Sequence, residues 1–317
     1  LKKITILDTS VGTLNLGDEI IMDSVKRELK KLFKGNTMYL NLPTHEKISS
    51  YGHRIIKESD VTFVAGTNLL HSKHRIIRGN QWNINLLDAM KFSNVVLMGV
   101  GWARYQRKPT YLSKLLYRNA LTSNYYHSVR DSYTKEKLES IGIKNVYNTA
   151  CPTMWELTEE HCKSIPHKKA KNVVFTLTDY SRSPEKDKEL IRILRENYDK
   201  LYFWIQGSED YDYIRSLTDS ISFVGPNLNS YDELLESSED LDYIGTRLHA
   251  GIRAMQKKRR SIIIGIDNRA IEKHKDFNIN MIKREDISNL DQYINSDIFT
   301  NIKLDLDSIN AWKSQFV

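Results

Sequence analysis

Short runs of β-branched and aromatic residues alternate with helical segments along nearly the whole chain, and this order constrains the fold more than any other feature. KITILDT (3–9), NTMYLNL (36–42), DVTFVAG (60–66), NVVLMGVG (94–101), YHSVRD (126–131) and KNVYNTA (144–150) read as strands. Several are apolar on both faces, as the middle of a parallel sheet requires. Between the first two, DEIIMDSVKRELKKLF (18–33) sets Ile21, Val25, Leu29 and Leu32 on one helical stripe. Repeated strand–helix order of this kind predicts a doubly wound α/β domain.

The alternation breaks at TEEHCKSIPHKKAK (158–171), which is polar, carries a proline and reads as a linker. It then resumes with NVVFTLT (172–178), KLYFWIQG (200–207), SISFVG (220–225), LDYIGT (241–246) and SIIIGI (261–266), each with helical sequence after it. A chain of 317 residues has the length of two domains. The expected organisation is an α/β domain over 1–160 and a second over 172–317, two Rossmann-like halves facing a cleft. The last stretch, LDSINAWKSQFV (306–317), reads as an amphipathic helix able to pack back on the first domain.

A formal charge of +7 points to an anionic partner such as a phosphorylated metabolite, an acidic glycan or a membrane surface. The basic residues are scattered apart from KKRR (257–260) and HKKAK (167–171), and no nucleic-acid module is recognisable, so nucleic-acid binding ranks last. Two cysteines, Cys151 and Cys162, form neither a CxxC pair nor a zinc set, and no metal site is expected. With no spanning apolar run and no leader pattern at the start, the expectation is a cytoplasmic protein, possible at the inner face of a membrane.

Chemistry-bearing residues gather at the predicted strand ends. TSVGTLNLGDEII brings Asn15, Gly17 and Asp18 to the start of a helix, where Gly17 and Asp18 suit either an anion or an ordinary turn and cap. FVAGTNLL places Gly66, Thr67 and Asn68 after the third strand, and MGVGWAR offers Trp102 as an aromatic face suited to a sugar or to core packing. Arg130 and Asp131 end the fifth strand, with Ser132 able to cap the next helix; the pair either closes a turn or presents a guanidinium to a carboxylate or phosphate.

YIGTRLHAGIRAM (243–255) is the most informative stretch. Arg247 and His249 fall where a strand gives way to a helix, so an anion at the helix N-terminus would also meet Arg247. The same field favours a neutral imidazole at His249, able to accept a proton from a hydroxyl and return one. After the next strand, DNRA brings Arg269 to a neighbouring strand end, and the two arginines are expected to converge on one site.

These motifs resemble the polysaccharide pyruvyl transferase family: NLGDE (15–19), VAGTN (64–68), SVRDSYT (128–134) and above all GTRLHA with SIIIGIDNRA. The resemblance implies a glycosyltransferase type B-like fold, with an acceptor side in the first domain and a donor side in the second. It implies transfer of the enolpyruvyl group of phosphoenolpyruvate, a co-substrate with no further cofactor, onto a sugar of a surface glycan or lipid-linked oligosaccharide to form a pyruvate ketal. Carried over, Arg247 holds the phosphate or carboxylate of the donor, Leu248 packs beside it and His249 is the acid/base residue; Arg269 and Arg130, at their strand ends, are expected to join in donor binding. Asn15, Gly17, Asp18, Gly66, Thr67, Asn68 and Trp102 then fall to the acceptor. The competing readings are a glycosyltransferase of the same fold using a nucleotide sugar, and an inactive glycan-binding homologue.

Overall fold

The computed structural model describes residues 1–73 and 81–317, which divide into two compact units. The first contains Leu1–Thr13, Ile21–Trp155 and Leu304–Val317; the second contains Leu14–Ile20 and Glu156–Lys303. The partition departs from a simple halving in two places. The segment carrying NLGDE folds with the second unit, and the terminal helix Leu306–Ser314 folds with the first.

In the first unit, β1 (Lys2–Asp8), β2 (Thr37–Pro43), β3 (Val61–Ala65) and β4 (Val95–Met98) form a parallel sheet in the order β2-β1-β3-β4. The short β5 (His127–Val129) and β6 (Val146–Asn148) pair with each other and meet the β4 end through a Val100–Val129 bridge. Alternation along the inner strands explains why they are apolar throughout. Ile4, Ile6, Phe63, Val96 and Met98 face one core, while Leu7, Val64, Val95 and Leu97 face another. The first of these cores receives Ile21, Val25 and Leu29 from the Gly17–Leu32 helix, with Ile309 and Trp312 from the terminal helix. Leu32, the fourth residue of the predicted stripe, is only partly buried.

The terminal helix is also held by charge. Lys313 Nζ lies 2.5 Å from Glu28 Oε2, and Lys31 reaches the other carboxylate oxygen at 2.8 Å. Burial raises the Glu28 pKa, but the two lysines outweigh it and hold the group below its ordinary 4.5. A depressed folded-state pKa stabilises the fold above the unfolded value and loses that contribution as pH falls through the folded one. We therefore expect Glu28→Gln to cost about 1.5–3 kcal/mol near neutral pH. Urea unfolding across pH should show the difference from wild type shrinking on acidification below the ordinary carboxylate range.

The second unit has one parallel sheet in the order β12-β11-β10-β7-β8-β9. Its strands are β7 (Asn172–Thr176), β8 (Lys200–Trp204), β9 (Ser222–Val224), β10 (Leu241–Gly245), β11 (Ser261–Gly265) and β12 (Met281–Lys283). The expected linker is partly folded: Thr158 caps a short helix, Glu159–Lys163, whose His161 Nε2 donates to Met255 O at 2.8 Å. The KKRR cluster is largely consumed by the fold. Arg260 is buried against Asp242, and Arg259 donates to the carbonyls of Leu235, Ser237 and Glu239.

Candidate active site

The β10 strand and the Leu248–Gln256 helix position the central residues. Gly251 lets that helix lie on the sheet, since a Cβ there would stand 2.1 Å from Ile263 Cδ1 and 2.7 Å from the Tyr243 ring. Arg247 is the helix N-cap residue, with Leu248 and His249 the first two helical positions, and all three are buried. Tyr243 Oη donates to Arg247 O at 2.7 Å, fixing the turn from below.

The Arg247 guanidinium is oriented by the protein itself. Its Nε donates to Leu177 O at 3.0 Å, and its Nη2 donates to Asp179 Oδ1 at 3.0 Å and Asp210 Oδ1 at 2.5 Å. Burial lowers its pKa, but Asp210, Tyr180 and Asp179 more than reverse this, so the group is firmly charged. The guanidinium edge carrying Nε and Nη2 is thus spent on internal partners. Among the described residues Nη1 makes no hydrogen bond, and it is the nitrogen left for a ligand.

Asp210 is the hub of this arrangement. Fully buried, it accepts from the backbone amides of Gln206 at 3.2 Å, Gly207 at 2.6 Å and Asp179 at 3.1 Å as well as from Arg247. Burial drives its pKa up, Arg247 and the Gly207 amide pull it down, and the balance leaves it raised. One carboxylate therefore ties the ends of β7 and β8 to the Arg247 turn.

Arg269 comes to the same place, as expected, though its charge is also matched. Its Nε donates to Asp267 Oδ2 at 2.9 Å, while Asp267 caps the Asn268–Phe277 helix through the Arg269 amide. The guanidinium carbons of Arg247 and Arg269 both lie over the Tyr180 ring, 5.1 and 5.7 Å from its centre, and the residue stays exposed. Its hydroxyl also accepts a hydrogen bond from Arg269 Nη2.

The NLGDE segment joins this site in the second unit. Leu16 N donates to Gln206 O and Ser208 N to Leu14 O, while Asn15 Oδ1 accepts from Gln206 Nε2 at 2.7 Å. Asn15 and Gly17 were placed by sequence order on the acceptor side in the first domain; packing on the β8 loop puts them in the second unit. Asp18 is inside the first turn of the Gly17–Leu32 helix instead of capping it, and Asn15 Oδ1 accepts from Gly17 N.

In the first unit, Arg130 is 1% exposed and its Nε donates to Asp131 Oδ2 at 3.0 Å. Its Nη1 and Nη2 are buried with no hydrogen-bond partner among the described residues. Two unsatisfied donors of this kind cost about 1–3 kcal/mol each, so the group is poised for an acceptor. Gly101 makes the position possible, because a Cβ there would stand 2.0 Å from Arg130 Nε. Asp131, instead of Ser132, caps the Ser132–Ser140 helix by accepting from Thr134 N at 2.8 Å.

Trp102 does not offer a face to a sugar. It is 0% exposed, donates from Nε1 to Ser72 Oγ and Gln106 Oε1, and packs edge-on against Tyr117. Gly66 and Thr67 both have positive φ, and a Cβ on Gly66 would stand 2.1 Å from Ile21 Cγ2. The Gly66 amide is used by Met98 O, so that glycine serves close packing; beside it, Asn68 keeps a buried Oδ1 without a partner among the described residues.

Among the described residues, no group of three or more His, Cys, Asp or Glu side chains is disposed to hold a metal, and no helix is long and apolar enough to cross a membrane.

The comparisons with known proteins agree with this architecture. A Listeria monocytogenes structure provisionally described as a UDP-N-acetylglucosamine 2-epimerase matches with TM-score 0.52 and 10% identity, over 98% of this chain and 94% of that one. The S. aureus MnaA–UDP co-structure matches with TM-score 0.52 and 11% identity, over 99% and 91%. Arabidopsis thaliana UGT89C1 complexed with UDP-L-rhamnose matches at 8% identity with TM-score 0.47, over 99% and 94%. The Listeria monocytogenes and S. aureus matches, at 10–11% identity, show a likeness of fold alone, two Rossmann-like domains of the glycosyltransferase type B kind. No curated protein sequence matches the chain. The family model described as polysaccharide pyruvyl transferase matches residues 15–268, a span that takes in NLGDE, Arg130, the Arg247–His249 turn and Asp267. The chain belongs to the polysaccharide pyruvyl transferase family.

Proposed function

We propose that the protein transfers the enolpyruvyl group of phosphoenolpyruvate to a sugar of a surface glycan or exopolysaccharide, forming a pyruvate ketal and releasing phosphate. The observation that carries this reading is a buried Arg247, with one guanidinium nitrogen uncommitted, two residues before His249 at a helix N-terminus in a chain of this family.

Arg247 Nη1 and the first-turn amides of the Leu248–Gln256 helix take a donor oxygen, and Leu248 packs beside it. Arg269 adds positive potential there; in the first unit, Arg130 offers two guanidinium nitrogens without a partner among the described residues to a carboxylate or phosphate. His249, protonated once the anionic donor is bound beside it, gives that proton to the donor methylene, leaving an oxocarbenium-like centre at the adjacent carbon. A sugar hydroxyl oxygen bonds to that carbon, its proton passing to His249, and the bond to the phosphate oxygen breaks. A second hydroxyl closes the ketal. The two hydroxyl protons are then accounted for, one in the new methyl group and one on the phosphate. Fixed positive charge beside the departing phosphate is the larger catalytic contribution, since it is already oriented when the charge develops. Phosphoenolpyruvate is the co-substrate and no other cofactor enters. The acceptor is a glycan or lipid-linked oligosaccharide, met in the cytoplasm with peripheral association at the inner membrane face.

A thermal-shift series separates this reading from a nucleotide-sugar glycosyltransferase, because a ligand specific to the folded state raises the melting temperature. Phosphoenolpyruvate at 100 times its Kd is expected to add about 2.7 kcal/mol of stability. A shift with nucleotide sugars and none with phosphoenolpyruvate would replace the proposal with its rival.

A further inference from the structure

Beside Arg247 the second unit carries a depression of about 230 Å³. Leu14, Asn15, Asp179, Tyr180, Glu209 and Arg247 are among its walls. Its volume lies below the range of about 300–1,000 Å³ usual for drug-sized ligands and suits a single ring.

Charge and surface chemistry narrow the occupant. Arg247 is matched by Asp179 and Asp210, and Arg182 is paired with Glu209 at 2.6 Å, so three carboxylates stand against two guanidiniums. Arg269, also over the Tyr180 ring, is matched by Asp267. An anion inside the depression would meet net negative charge, which favours a neutral occupant there, beside the phosphoenolpyruvate held at the helix N-terminus. Tyr180 is 58% exposed and Leu14 is 77% exposed, giving apolar surface beside the carboxylates. An aromatic face bordered by hydrogen-bond acceptors and one strong donor is the composition that receives a polyhydroxylated ring. The donor is Arg247 Nη1, whose two N–H groups can serve a donor oxygen and a ring hydroxyl together, on a side chain only 2% exposed that itself lines the depression.

We propose that this depression is the subsite for one neutral sugar ring of the acceptor, stacked on Tyr180, its hydroxyls divided among Asp179, Glu209, Asn15 and Arg247 Nη1. The inference rests on the pyruvyl-transfer reading, in which an attacking hydroxyl must lie next to the donor. It moves sugar recognition from Trp102, which is buried, to the second unit.

Saturation-transfer NMR with the full chain tests it directly. The probes are the methyl pyranosides of galactose, glucose, mannose and N-acetylmannosamine at millimolar concentration. At least one should receive saturation from wild type. Tyr180→Phe, which keeps the ring, should retain the signal, whereas Tyr180→Ala and Glu209→Gln should weaken it at least tenfold with melting temperatures unchanged. Added phosphoenolpyruvate should leave the glycoside bound. The proposal is overturned if no probe receives saturation, if Tyr180→Ala binds as wild type does, or if phosphoenolpyruvate displaces the glycoside. Ring-dependent glycoside binding in a protein that phosphoenolpyruvate does not stabilise would uphold the subsite and sink the pyruvyl-transfer reading.

Discussion

Asp210→Ala is expected to destabilise the second unit by about 3–5 kcal/mol, the range seen when one partner of a buried ion pair is removed. The carboxylate accepts from three backbone amides and from Arg247, so its loss strips the Gly207 and Asp179 turns together. Arg247 would keep Asp179 and Leu177 O but lose its shortest contact. Denaturant unfolding reads the stability change. Phosphoenolpyruvate affinity, measured well below the melting temperature, should fall as well, because Nη1 is aimed only through the bonds made by Nε and Nη2. Unchanged stability with unchanged affinity would remove Asp210 from the account. The same geometry sets what Arg247→Lys should do. A lysine has no second nitrogen to anchor, so it loses the internal bonds that orient the charge more than a two-point grip on the ligand.

The second large effect belongs to His249. His249→Ala should lower phosphate release from phosphoenolpyruvate by about 10²–10⁴-fold, the usual contribution of a positioned acid/base group. Donor affinity should change far less, since Arg247 and the helix amides remain. A variant with wild-type release would exclude the imidazole from proton transfer, while a variant with lost donor binding would make it a binding group.

Much of the fold was legible because its signals are local. Short β-branched runs, several apolar on both faces, mark the strands, and Gly245 and Thr246 followed by a helical stripe locate the Arg247 turn. The neighbouring Arg269 was legible too, since successive βα units commonly lie side by side, as β10 and β11 do. Asp179, Tyr180 and Asp210 were not. They come from the ends of β7 and β8, and only the sheet order β10-β7-β8 brings them to Arg247. The signal available was QGSED after an apolar strand, a glycine turn followed by an acidic residue that can turn back onto its amides.

Two other expectations failed for related reasons. NLGDE follows the first strand in sequence and was assigned with it, yet its backbone hydrogen bonds go to the loop after β8. Trp102 follows two glycines at a strand end, where exposure and burial look alike in sequence; its indole N–H finds Ser72 and Gln106, which makes burial affordable. For Arg130 the turn-closing reading holds, since Nε pairs with Asp131, while two nitrogens have no partner among the described residues.

The most direct measurement follows carbon from donor to glycan. Protein incubated with phosphoenolpyruvate labelled in its methylene carbon and with polysaccharide from the producing organism should yield glycan bearing a labelled ketal methyl group, one phosphate released per group, and neither product with His249→Ala. Phosphate released without label in the glycan, or sugar transferred from a nucleotide donor while the label stays in phosphoenolpyruvate, would contradict the account.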